Sequence, residues 1–103
     1  MDIEVKHDKK NKRFVAEIEG YEAYLSYNVF DDIIDLTYAY TPPEIRGKGI
    51  AKIVVEYALN YAKANNLKVI PTCSYVKAIV ERNDAYKNLL AWFFYFYKVK
   101  SFW

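Results

Sequence analysis

Basic residues and glycines alternate in one short segment of the chain, Arg46-Gly47-Lys48-Gly49-Ile50-Ala51. Strand-like residues precede it and a helical pattern follows, so the segment should form the entry to a helix. The first turn of a helix leaves about four backbone N–H groups unpaired and carries roughly half a positive charge. Gly47 and Gly49 would let a bulky anion approach the backbone closely. This spacing predicts a pyrophosphate-binding turn; an ordinary tight turn with solvated basic side chains is the alternative.

The patterns on either side of this turn would position it. Ile33–Tyr40 reads as an apolar strand, and Pro42-Pro43 ends it because proline cannot donate to a ladder. Apolar residues then recur at helical spacing from Gly49 to Ala64, and Asn65-Asn66 would cap that helix. Leu67–Thr72 is a second apolar strand. A strand–helix–strand crossover places the two strands parallel to each other.

The remaining segments complete an α/β domain. Period-two patterns before residue 40 predict antiparallel strands, so we expect a mixed sheet of about five strands, with the main helix crossing to a parallel strand. Further helices are predicted towards the C-terminus. The predicted elements are strands at Ile3–His7, Phe14–Glu19 and Tyr21–Tyr27, a loop at Asn28–Asp32, and helices at Ser74–Arg82 and Asp84–Tyr97.

Composition limits the class of protein. The 103 residues predict a single domain spanning residues 1–103, and 53% hydrophobic residues supply a folded core. A net charge of +2 is too small to indicate nucleic-acid binding. One cysteine and no signal-peptide pattern favour the cytoplasm. No apolar run reaches the ~20 residues of a membrane span, and we predict no metal site.

The turn and its surroundings resemble the GNAT superfamily of acetyltransferases. That family carries Arg/Gln-x-x-Gly-x-Gly/Ala between its fourth strand and its main helix, and Arg46, Gly49 and Ala51 match this pattern. A branch of small members carries Val-Pro-x-x-x-Arg-Gly-x-Gly-x-Ala followed by Pro-x-Cys-x-Tyr/Phe. Here these motifs read Thr41–Ala51 and Pro71–Tyr75. The resemblance implies a GNAT-like fold and acetyl-CoA as the cofactor.

The same resemblance implies roles for individual residues. The turn would hold the pyrophosphate of acetyl-CoA, and the backbone of Tyr40 and Thr41 would pair with the pantetheine arm. Asn83 would contact CoA or cap a helix near it, and Tyr86 would protonate the departing thiolate. Tyr86 also begins a helical apolar stripe, so a core position is the alternative. The predicted cofactor-binding residues are Tyr40, Thr41, Arg46, Gly47, Lys48, Gly49, Ile50, Ala51 and Asn83.

Cys73 is the second candidate catalytic residue. It would lie beside the expected thioester, at the start of the helix predicted from Ser74. A helix N-terminus favours the thiolate form of a cysteine, so Cys73 could carry the acyl group in a two-step transfer. The alternative is a small buried hydrophobic residue.

The resulting prediction is acetyl transfer from acetyl-CoA to a primary amine of a protein or small molecule. One alternative is a CoA-binding module without transferase activity, because Tyr38-Ala39 stands where the branch often has His-Thr. Another is an interaction protein that reuses the fold. The aromatic segment Trp92–Trp103 predicts a homodimer seam; core packing, a final strand at Tyr95–Val99 and membrane contact are its alternatives.

Overall fold

A computed structural model of the chain describes residues 3–91. Five strands form one sheet in the order β1-β2-β3-β4-β5. Neighbours from β1 to β4 are antiparallel, whereas β4 and β5 are parallel, as the crossover predicts. The mixed sheet expected from the sequence is therefore confirmed. The strands are β1 (Val5–Asp8), β2 (Arg13–Ile18), β3 (Tyr21–Phe30), β4 (Ile33–Tyr40) and β5 (Lys68–Ile70).

Within residues 3–91, three α-helices follow the antiparallel strands. The main helix, α1 (Ile50–Ala64), is preceded by a short 3₁₀ turn at Pro43–Ile45. It ends where Asn66 adopts a left-handed φ of 55°, a conformation that asparagine tolerates. The other helices are α2 (Ser74–Arg82), whose bounds agree with the prediction, and α3 (Asp84–Lys87). No helix within the described residues has the length and apolar character needed to cross a membrane.

All three helices pack on the same face of the sheet. Their buried residues belong to one core cluster with inward-facing residues of β2, β3 and β4, such as Phe14, Leu25 and Leu36. We call the opposite side of the sheet the open face. On the open face, within residues 3–91, a small separate apolar cluster consists of Ile33, Ile70 and Ala91.

The predicted loop at Asn28–Asp32 is wrong in its first half. β3 continues to Phe30, which pairs with Ile33 of β4. Asp31 adopts a left-handed φ of 54°, so Asp31 and Asp32 alone complete a tight hairpin turn. Val29 and Phe30 favour a strand, and pairing with β4 overrides the low strand propensity of Asn28.

The predicted helix at Asp84–Tyr97 is wrong at residues 88–91, and its part from residue 92 lies outside the described residues. The N–H of Val69 in β5 donates to the Leu89 carbonyl at 2.7 Å, and the N–H of Ala91 donates to the Val69 carbonyl at 2.9 Å. This parallel bridge satisfies the edge of β5, which a continued helix would leave unpaired.

The aromatic segment Trp92–Trp103 lies outside the described residues. The homodimer seam, the final strand at Tyr95–Val99 and the other roles considered for it therefore stay predictions.

Candidate functional site

β4 and β5 stay paired only at the start of β4. Asp35 and Ile70 are the last pair in the register, although β4 continues to Tyr40. The N–H of Cys73 then donates to the Leu36 carbonyl at 2.9 Å, where the chain leaves the sheet to enter α2. In the described part of the chain, no strand pairs with this edge of β4 beyond that point. A gap therefore opens beside the carboxyl end of β4.

A β-bulge lies at the level of this gap. Ser26 pairs with Tyr38 and Tyr27 pairs with Leu36, so Thr37 is an extra residue without a partner across β3. The Thr37 hydroxyl donates to the Ser26 carbonyl at 3.1 Å and lies 3.0 Å from the Ser26 hydroxyl. Bulges break the ladder locally and change the direction of the following side chains. The contacts between Thr37 and Ser26 hold the bulge in this conformation.

The glycine-containing turn follows the same end of β4. Gly47 and Gly49 have left-handed φ angles of 82° and 74°. A Cβ added at either position would meet nothing within 4 Å, so the backbone angle, rather than lack of space, requires glycine. Gly49 is the N-cap of α1 without a side-chain cap, and the first turn of α1 has no acidic residue. The backbone N–H groups of Ile50 and Ala51 therefore have no intrahelical acceptor and are available to an anion.

Two basic side chains surround this helix start. The Arg46 Nε donates to the Thr41 carbonyl at 2.8 Å, which ties the turn to the end of β4. The Lys48 Nζ lies 3.5 Å from the Glu19 carboxylate, and both side chains are largely exposed. Exposed ion pairs contribute about 0–1 kcal/mol, so an incoming anion can compete for Lys48. The turn thus combines backbone donors, a helix dipole and two positive charges.

The remaining predicted site residues have structural contacts of their own. Cys73 is the N-cap of α2 and is half-buried, packed against the main core cluster. Asn83 caps α3, since its side-chain oxygen accepts from the Ala85 N–H at 3.0 Å. Tyr86 is only 7% exposed and belongs to the core. The Cys73 backbone lies next to the gap, because its N–H bonds the Leu36 carbonyl. Asn83 and Tyr86 come after α2 in the chain, at and within α3. Their catalytic and cofactor-binding roles stay predictions.

Sequence reasoning missed Asp35. This carboxylate belongs to the last β4–β5 pair, just before the gap begins, and the Thr72 hydroxyl donates to it. Ile34 and Leu36 on either side are fully buried in the core, so Asp35 projects from the open face. A carboxylate inside the apolar run Ile33–Leu36 was the signal that could have identified it. No grouping of potential metal ligands occurs within the described residues.

The one histidine lies at the other edge of the sheet. The His7 Nε2 is 2.6 Å from the Tyr27 hydroxyl, and its ring stacks on Phe14 with centroids 4.4 Å apart. Burial, followed by the charge of Lys9, lowers the pKa of His7, whereas burial raises the pKa of Tyr27. Since β1 and β5 are opposite edges of the sheet, His7 takes no part in the gap.

These features define a class of protein: an α/β domain with a basic, glycine-containing turn at the start of its main helix and a gap beside the end of its central parallel strand. Residues 13–89 match the family of GCN5-related N-acetyl-transferases. The chain belongs to this family, so the predicted membership of the GNAT superfamily is confirmed.

Relatives and a solved structure agree with this assignment. Protein NATD1 of Gallus gallus is 36% identical over 84 residues, which cover 79% of this chain and 76% of that protein. Protein NATD1 of Homo sapiens is 34% identical over 84 residues, covering 79% of this chain and 74% of the relative. The solution structure of a GCN5-like protein from Staphylococcus aureus has a TM-score of 0.66 at 26% identity. It covers 84% of this chain and 86% of that one.

Proposed function

We propose that this protein transfers an acetyl group from acetyl-CoA to a primary amine. The observation that carries the proposal is the position of the anion-binding turn and of the gap, which both lie at the carboxyl end of β4. A ligand with a pyrophosphate at one end and a thioester at the other could occupy both. Membership of the acetyltransferase family supports this choice of ligand.

The described residues fit acetyl-CoA. The backbone from Gly47 to Ala51 would bind the pyrophosphate, with Arg46 and Lys48 supplying positive charge. The free edge of β4 at Tyr40 and Thr41 would hydrogen-bond the amides of the pantetheine arm, much as a peptide adds to a sheet edge. Gly47 and Gly49 carry no side chain, and the space where a Cβ would lie is open at both positions. When bound, the cofactor supplies an activated acyl thioester.

Acyl transfer needs a donor for the thioester oxygen, where negative charge develops. Backbone N–H groups of Ala39 or Tyr40, just after the bulge at Thr37, could supply it. We propose direct attack by the amine rather than an acyl-cysteine. The Cys73 side chain packs against the core, and no histidine accompanies it in the described residues. Its backbone N–H would still help to set the width of the gap through Leu36.

A CoA-binding module without transferase activity is the second candidate function. Two observations favour it: Tyr38 replaces the histidine that is frequent in the branch, and Tyr86 is buried. Both candidates predict cofactor binding, and only the first predicts turnover.

Calorimetric titration with acetyl-CoA tests the cofactor site. Each charged hydrogen bond lost contributes about 1.5–3 kcal/mol, so the double variant Arg46→Ala, Lys48→Ala should bind at least tenfold more weakly. Lys52→Ala is the matched control, because Lys52 is an exposed lysine of the same helix end that pairs with Glu56. Equal affinity in wild type and double variant would refute the assigned site. No binding to the wild type would refute both candidate functions.

A further inference from the structure

The last described residues run along the free edge of β5. Leu90 belongs to the main core cluster, whereas Ala91 belongs to the small cluster on the open face. This alternation is typical of an extended segment. The parallel bridge between Val69 and Leu90 gives the segment the same direction as β5 and β4. The chain therefore leaves Ala91 at the edge of the open face, pointing towards the carboxyl end of β4.

Three tyrosines lie on the open face near that end of β4, and we call them the tyrosine patch. The ring of Tyr24 lies 6.2 Å from that of Tyr38 and 5.9 Å from that of Tyr40. Tyr38 is 54% exposed and Tyr40 is 37% exposed, because no helix within residues 3–91 packs on this side of the sheet. Neighbouring exposed rings of this kind are typical of an interaction surface.

Two carboxylates lie beyond the tyrosine patch, and we call them the carboxylate pair. Glu17 of β2 pairs directly with Glu22 of β3, a position in which like charges destabilise a sheet. Glu22 lies 3.5 Å from Arg13, whereas Glu17 has no ion pair within the described part of the chain. Both line a hollow of about 540 Å³ that also includes Val15. This end of the open face therefore favours positive charge beside an apolar group.

The sequence of residues 92–103 has the same order as these features. Residues 92–97 are an uninterrupted aromatic run without charge, and Lys98 and Lys100 follow it. These two lysines are the only charged side chains of the segment. Aromatic rings pack favourably on other rings, and lysines pair with carboxylates. The segment therefore complements first the tyrosine patch and then the carboxylate pair.

The distance across the open face agrees with this order. Glu17 lies roughly 28 Å diagonally from Ala91, at about 4.8 Å per strand and about 3.4 Å per residue. The nine residues that lead from Ala91 to Lys100 cover about 30 Å when they are extended. The aromatic run is thus long enough to cross the tyrosine patch before the lysines reach the carboxylate pair.

We propose that residues 92–103 pack across the open face of their own chain. Residues 92–97 would contact the tyrosine patch, and Lys98 and Lys100 would pair with the carboxylate pair. Docking within one chain follows from the direction of the chain at Ala91, and a tethered segment binds without the cost of joining two molecules. On this course the segment would also cover the side of the gap that the helices leave open. The inference does not depend on the proposed function, because it concerns the face opposite the helices.

Paramagnetic relaxation enhancement tests the proposal on the full ¹⁵N-labelled chain without cofactor. A nitroxide is attached to Ser101→Cys in a Cys73→Ala background, which leaves no other thiol. We expect the amide signals of Val15 and Tyr24 to lose most of their intensity, whereas Lys63, near the far end of α1, keeps its signal. A second sample mixes nitroxide-labelled chains without ¹⁵N with ¹⁵N-labelled chains without nitroxide. No loss is expected there, because the contact lies within one chain.

Reversal of charge tests the contact between the lysines and the carboxylate pair. In the nitroxide-labelled chain, Lys98→Glu with Lys100→Glu should restore much of the lost intensity on the open face. Adding Glu17→Lys should bring part of the loss back, because opposite charges face each other again. Lys63→Glu, on an exposed lysine of α1, is the matched control and should leave the signal loss unchanged.

Tryptophan fluorescence provides a readout on the unmodified chain. Both tryptophans of the sequence, Trp92 and Trp103, belong to the segment. We expect acrylamide to quench them several-fold less in the folded monomer, identified by analytical ultracentrifugation, than in urea. Equal quenching in the two states, or no signal loss at Val15 and Tyr24, would overturn the proposal. Signal loss only in the mixed sample would overturn it as well, since the segment would then lie on a second copy of the chain.

Discussion

Gly49 adopts a left-handed conformation at the start of α1, so its replacement has a calculable effect. The left-handed region destabilises an L-residue by roughly 1–2 kcal/mol. Alanine recovers about 0.4–1 kcal/mol by restricting the unfolded chain. Since an added Cβ would meet no atom within 4 Å, no steric term is added. Gly49→Ala should therefore lower the free energy of unfolding by about 1 kcal/mol, or the Tm by about 4 °C.

Gly20 offers a matched control, because it has a φ of 82° and equally open space around its Cβ position. Gly20→Ala should reduce stability by the same amount, although it lies in the β2–β3 turn. Gly49→Asn should lose less, since asparagine adopts the left-handed region more readily than alanine. Urea unfolding followed by far-ultraviolet circular dichroism, with unchanged m values, would measure all three. Full stability of Gly49→Ala would refute the left-handed helix start, and a loss several times that of Gly20→Ala would refute the open space around it.

Three further perturbations follow from the described contacts. Because the pKa of His7 is lowered from 6.5 in the folded state, its stabilising contribution is present above that pH and is lost as pH falls. His7→Gln should therefore flatten the pH dependence of unfolding between about pH 7 and 5. Asp8, whose pKa is lowered from 3.8, keeps its stabilising contribution throughout that range and loses it only at lower pH. Tyr86→Ala should destabilise the core by about 3–5 kcal/mol in chemical denaturation, and a loss below about 1 kcal/mol would contradict its burial. Cys73→Ala should keep acetyl turnover within about threefold under direct transfer, and abolished turnover in a folded variant would instead support an acyl-cysteine.

The local patterns predicted most of the elements and the position of the glycine-containing turn at the start of α1. The strand at Ile33–Tyr40 and the helix at Ser74–Arg82 agree with the structure residue for residue. Both have a periodicity that matches their burial and a clear stop signal, proline in one case and asparagine in the other. The glycines of the turn also have the left-handed angles that their type suggests.

One error was local and the other arose where pairing between distant segments decides the structure. Val29 and Phe30 are good strand formers, and the tight turn that follows them lets them complete β3 by pairing with β4. The stripe that includes Tyr86, Leu89 and Leu90 has helical spacing, yet β5 provides a partner for the backbone there. A single sequence does not contain these tertiary terms, because propensity is weaker than a satisfied ladder.

The gap and Asp35 could not be predicted for a related reason. A gap exists only where two paired strands diverge, and the register of β4 and β5 depends on contacts some 35 residues apart, as in the Asp35–Ile70 pair. The polar residue in an apolar strand was visible in the sequence. Its position in the last β4–β5 pair, next to the gap, could be seen only in the folded structure.

The most direct test of the central claim is a transfer assay with acetyl-CoA and a panel of alkylamines, in which release of the CoA thiol and formation of the acetylated amine are both measured. We expect the two products to appear in equal amounts in the wild type, and the double variant Arg46→Ala, Lys48→Ala to have a kcat/KM at least tenfold lower. Tight binding of acetyl-CoA without either product, across lysine peptides and small amines, would contradict transferase activity and favour a CoA-binding module.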